Sequence, residues 1–256
     1  MSFDKVFFAE YSTWRIAVIL ANIHATREIM FDDGTLTLFE FENKIRDRKI
    51  INVSRPRKEL SLKLLGYKRS RLIKPNTNFE MFTLFNIDSA DFTINRNRFA
   101  DLIETYKLKN VFRHDGGVVF IGDGCTKRIL NLGKYKETLT QLCAKYPNRT
   151  IYYFPHRNES SSVRTFLSSI KGLVYVKSDM PIEIQIQEVQ EGVSAIYGFY
   201  SSALYTLSII YQNIPLYTRK LVETEISDDV ADAYLLSESI KFVDKYLVGN
   251  NVKPWL

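Results

Sequence analysis

Short apolar runs alternate with longer stretches in which apolar positions recur every three or four residues, and this alternation occupies most of the chain. Val6-Phe7-Phe8 reads as a strand, and Ser12 as the cap of a helix carrying Trp14, Ala17, Val18 and Ala21 on one side. Glu28 to Phe31 predicts a second strand, so the opening is a strand, helix, strand unit of the kind that pairs in parallel. Residues 35–75 are mixed and basic. Met81 to Phe85 predicts a strand and Arg96 to Tyr106 a helix, while His114-Asp115-Gly116-Gly117 reads as a turn that connects two domains.

A second series follows. Its predicted strands are Val118 to Ile121, Thr150 to Phe154, Leu173 to Lys177, Ala195 to Phe199 and Ile214 to Tyr217. Helices are expected at Lys134 to Tyr146, Val163 to Ile170, Ser201 to Tyr211 and Asp228 to Tyr246, and a further segment around Ile182 to Val189. Two alternating series imply an α/β chain with two Rossmann-like domains, residues 1–113 and 114–256.

Three polar clusters fall where such strands end. Asp32-Asp33-Gly34 follows the second strand, Pro155-His156-Arg157 follows Thr150 to Phe154, and Ser201-Ser202 opens a helix after Ala195 to Phe199. The carboxyl edge of an open α/β sheet is where ligands gather. Carboxylates there can remove a proton, an imidazole with a neighbouring Arg157 suits an anionic ligand, and a serine-rich helix start is both an N-cap and a phosphate cradle. Gly122, in Gly122-Asp123-Gly124, offers either a simple turn or a close backbone approach to a ligand. Glu183 stands between the histidine and the serines, as a helix-start acid or a hydrogen-bond acceptor for a ribose.

Composition changes this picture little, and charge changes it at one place. A content of 45% hydrophobic residues is ample for packed cores, and Cys125 and Cys143 are too few for a disulfide framework or a zinc site. With no long apolar run, a cytoplasmic protein is expected. Between Lys44 and Lys74, however, twelve Lys or Arg stand against Asp47 and Glu59, an excess of +10 in a chain of net charge +6. That segment is either a solvated face or a surface for an anionic membrane or acidic polymer; no RNA-binding or zinc-finger pattern accompanies it, so nucleic acid is not the expected partner.

Taken in order, Asp-Asp-Gly, Pro-His-Arg closing a strand, Pro-x-Glu and Tyr-Ser-Ser-Ala-Leu resemble the bacterial sialyltransferases of the lipooligosaccharide and capsule type, glycosyltransferase family fifty-two. The resemblance runs from about residue 5 to the carboxyl end. It implies a GT-B-like fold of two facing Rossmann-like domains, the amino-terminal one shortened, and metal-independent, inverting transfer from CMP-sialic acid to a glycan acceptor. It further implies Asp33 or Asp32 as base, His156 at the leaving phosphate, and Glu183, Ser201 and Ser202 around the donor. The expected location is the cytoplasm, peripheral to the inner face of the plasma membrane. Two alternatives stay open: another nucleotide-sugar donor on the same fold, or an inactive remnant that binds membrane or acidic polymer through residues 44–74.

Overall fold

The structure is a computed structural model that describes residues 2–122, 132–156, 159, 161–177, 179–199, 201–219, 241, 245–246 and 252–255. The chain forms two compact units, Met1–Asn97 and Arg98–Leu256. Both are α/β units built on parallel sheets, and neither sheet closes into a barrel.

In the first unit, β1 (Ser2–Phe8), α1 (Trp14–Asn22) and β2 (His24–Phe31) realise the expected opening. The cap differs. Thr13, not Ser12, caps α1 through Ile16 N–H, because Ser12 is taken by Glu40: its amide and hydroxyl both reach Glu40 Oε1, at 2.8 and 2.6 Å. Residues 35–75 contain α2 (Leu36–Glu40), a π-helical continuation (Phe41–Ile45) and α3 (Pro56–Leu64), before β3 (Phe79–Thr83) and β4 (Thr93–Arg96). The four strands lie in the order β1-β2-β3-β4, all parallel.

One face of that sheet supplies the buried residues Phe8, Met30, Phe79 and Met81. Tyr11 joins them edge-on to Phe79. The alternate positions Phe3, Phe7, Phe31 and Phe82 are exposed, with Phe31 and Phe82 directly paired across β2 and β3. Strand periodicity sends these residues to the opposite face.

The second unit begins with α4 (Ala100–Thr105), shorter than the expected helix because Arg96 closes β4 and Phe99, at φ 55°, is not helical. Next come β5 (Phe112–Ile121), α5 (Leu132–Lys145), β6 (Ile151–Phe154), α6 (Ser161–Leu167), β7 (Leu173–Tyr175) and α7 (Ile182–Gln185). It ends with β8 (Val193–Gly198), α8 (Ser202–Ile210), β9 (Leu216–Thr218) and β10 (Val252–Pro254). The expected turn at His114 to Gly117 is therefore strand. Phe112 and Gly117 both register with Val193, so the polar stretch between them is an outward bulge that mimics turn composition. Most of the helix expected at Asp228 to Tyr246 lies outside the described residues.

The six-stranded sheet has the order β10-β9-β8-β5-β6-β7, all parallel. Its core is aromatic: Phe120 stacks on Tyr153 with centroids 5.8 Å apart, and Trp255 meets Tyr197 edge-on at 4.8 Å. Strand order reverses beside β5. The chain leaves β5 for β6 on one side and returns through β8 on the other, so β5 and β8 flank a topological switch point. Among the described residues no helix is long and apolar enough to cross a membrane.

Candidate functional site

Two carboxyl edges carry the chemistry-bearing residues, one in each unit. In the first unit, Asp32 follows β2 and ties it to β3: its two oxygens accept from Thr83 Oγ1 and from Leu84 N–H, each at 2.7 Å. Burial pushes the Asp32 carboxyl up to about 6 despite these donors and a further bond from Thr37, because the charged form is poorly solvated there. Asp33 is exposed and differs in role. Its amide donates to Thr37 Oγ1 at 2.8 Å, which fixes the main chain of the turn and leaves the carboxylate facing outward. The acidic pair thus divides into a latch, Asp32, and an accessible carboxylate, Asp33.

In the second unit, the carboxyl ends of β8, β5 and β6 are neighbours. Ser201 caps α8, its hydroxyl accepting from Ala203 N–H at 3.3 Å, and Ser202 is the first helical residue. The capping role expected for serine is thus realised. The helix start stands beside the switch point, where amides with no intrahelical acceptor and the helix dipole favour an anion.

Gly122 follows β5 at this edge, and its backbone is closely approached by the fold itself. The approaching group is Tyr153, since a Cβ on Gly122 would lie 2.6 Å from its hydroxyl. That hydroxyl meets Tyr135 at 2.5 Å and donates to Glu159, which also accepts from Tyr175 at 2.8 Å. Burial pushes the Glu159 carboxyl up, against the hydrogen bonds of both tyrosines and the nearby charge of His156. His156 itself is exposed, after Pro155, and its carbonyl accepts the Glu159 amide at 2.9 Å. The Pro155-His156 corner is therefore fixed by the main-chain amide of Glu159, whose carboxylate is tied to Tyr153 and Tyr175. Arg157 lies outside the described residues, as do Asp123, Gly124 and Cys125.

Glu183 is held elsewhere. Its main-chain carbonyl accepts from Tyr211 Oη at 2.7 Å, and Tyr211 is the C-cap of α8. Nine helical residues, about 13 Å of axis, separate that end from Ser201.

Two residues at the second edge carried no motif in the sequence. Glu159 had only its spacing from His156 to recommend it. Arg219 follows β9, with its amide bonded to Gly198 O at 2.9 Å and its guanidinium over the Phe199 ring at 6.0 Å. It adds a cation beside the β8 end. An open concavity lined by His24, Arg48, Lys74 and residues 76–78 lies at the amino end of β2, opposite Asp32, and brings none of the predicted residues together. Comparison with models of known protein families and with curated protein sequences finds no match for this chain.

Proposed function

We propose that this chain is a GT-B-type, inverting sugar transferase that moves sialic acid from CMP-sialic acid to a glycan hydroxyl in bacterial surface polysaccharide or lipooligosaccharide synthesis. The observation that carries the reading is the placing of the α8 start and Arg219 at the end of β8, beside the switch point, and of the His156–Glu159 corner at the end of β6, on the other side of β5. The sequence resemblance supplies the donor.

In this reading Ser201, Ser202 and Arg219 hold the donor phosphate, and His156 hydrogen-bonds or protonates it as it leaves. Fixed donors aimed at developing charge lower the barrier without reorganising. Asp33 takes the proton of the acceptor hydroxyl; the new bond joins that oxygen to the anomeric carbon as the carbon–oxygen bond to CMP breaks. Asp32 positions Asp33 by locking the turn to β3. Glu183, whose main-chain carbonyl is bonded by Tyr211 at the C-terminal end of α8, is given no donor contact in this reading. A nucleoside monophosphate leaves with less charge than a diphosphate, so transfer is expected to proceed without a metal.

The test is thermal unfolding with saturating CMP, UDP or AMP, followed by transfer from CMP-sialic acid. CMP should raise the melting temperature most. Asp33→Asn should keep that protection and lose transfer, while His156→Ala should weaken both. Equal protection by all three nucleotides removes the cytidine assignment, and near-normal transfer by Asp33→Asn removes the base.

A further inference from the structure

The basic segment is not uniform. Lys44, Arg46, Arg48, Lys49 and Arg71 each have a carboxylate partner: Glu40, Glu42, Asp91, Asp47 and Glu28. These cations belong to the fold of the first unit. Arg55, Arg57, Lys58, Lys63, Lys68 and Arg69 have no carboxylate partner among the described residues, and all six lie on α3 or beside its ends.

The same helix and the turn after it expose large apolar side chains. Leu60 is 59% exposed, Leu64 83%, Leu65 72% and Tyr67 56%. At 3.6 residues per turn Leu60 and Leu64 share one face of α3, with Arg57 on one flank and Lys63 on the other. The inner face is anchored. Glu59 is buried and accepts from Trp14 Nε1 and Arg55 N–H, both at 3.3 Å, and from the Ser70 hydroxyl.

The tip is also built. Tyr67 N–H bonds Leu62 O and Gly66 N–H bonds Lys63 O, both at 3.0 Å, with Gly66 at φ +81°. This pair of bonds is a Schellman cap, which fixes the turn that presents Leu64, Leu65 and Tyr67. Exposure there is a property of a capped helix, not of a frayed end.

We propose that α3 and its capped tip form a docking face for an anionic lipid bilayer, with Leu60, Leu64 and Leu65 entering the headgroup boundary and the unpaired Arg57, Lys63 and Lys68 meeting anionic headgroups. The combination decides the occupant: a polyanion such as RNA would satisfy the cations but leave the leucines in water, whereas an anionic interface satisfies both. The proposal is independent of the transferase reading, and nucleotide protection is expected to be the same with and without the docking residues.

The experiment is co-sedimentation of the full chain with phosphatidylcholine vesicles containing about one-third phosphatidylglycerol, and with phosphatidylcholine alone. Binding to the anionic vesicles only, weakened by salt, is the expected result. Leu64→Ser with Leu65→Ser should lower partitioning at least about tenfold while leaving every charge in place, and Lys63→Glu with Lys68→Glu should lower it by a similar factor. All four positions are exposed, so unchanged melting temperatures check that the variants fold. Absence of binding to anionic vesicles overturns the proposal, as does binding insensitive to the leucine pair. It is equally overturned if the leucine pair instead abolishes a dimer seen by sedimentation velocity, or if a single-stranded oligonucleotide binds through the lysines while vesicles do not.

Discussion

Asp32 makes the stability of the first unit depend on pH in an unusual direction. Its folded carboxyl sits at about 6, against an ordinary value of 3.8, because burial outweighs the bonds from Leu84, Thr83 and Thr37. A carboxyl raised on folding leaves stability intact below the unfolded value and withdraws it as pH rises through the folded one. Full ionisation therefore costs about 3 kcal/mol, and about 2 kcal/mol after allowance for the side chain's partial exposure. Asp32→Asn removes the charge but keeps the latch, since the amide oxygen can accept from Leu84 N–H while its nitrogen donates to Thr83 Oγ1. Urea unfolding of the wild type and the variant, followed through Trp14 in a Trp255→Phe background, isolates the first unit because the chain has one tryptophan in each. The variant should gain about 2–3 kcal/mol on the wild type between about pH 4 and about pH 8, with other titrations cancelling in the difference. Parallel profiles for the two proteins would refute the assignment of a raised carboxyl to Asp32.

Gly122→Ala should destabilise the second unit by about 1–3 kcal/mol, because the new methyl meets the Tyr153 hydroxyl; pairing it with Tyr153→Phe should recover part of the loss in urea unfolding, a non-additivity that independent sites would not show. Glu59→Ala leaves the Trp14 indole, the Arg55 amide and the Ser70 hydroxyl without their acceptor, and should lower the urea midpoint of the first unit in the same assay.

The alternation of elements was legible because each parallel strand is a short apolar run and each helix has a repeating apolar face. Strands with other signatures were hidden. Thr93–Arg96 is polar, and Val252–Pro254 carries a proline that suits only an edge. His114 to Gly117 misled for a definite reason: a bulge uses the same glycine and aspartate vocabulary as a turn, and only the neighbouring strand tells them apart. Strand-end positions were legible, as at Asp33, His156 and Ser201, each of which follows its strand as expected. Glu183 follows no strand end directly, and the tie of its carbonyl to Tyr211, the C-cap of α8, was not legible from its place along the chain. Arg219 and Glu159 needed the sheet order to be recognised at all. Nor did net charge separate the cations of 44–74 that are paired with acids, three of them with buried side chains, from those left on α3.

The placement of β5 between β6 and β8 has a consequence for how the protein is made. β6 follows β5 after one helix, but β8 arrives only after residues 122–192 have been synthesised. For that interval the run Val118-Val119-Phe120-Ile121, which is buried in the finished sheet, offers an open, β-prone edge to any other nascent chain. Chaperone demand and loss to inclusion bodies should accordingly concentrate in the window before β8 emerges from the ribosome, and truncations ending between β6 and β8 should aggregate more than ones ending before β5.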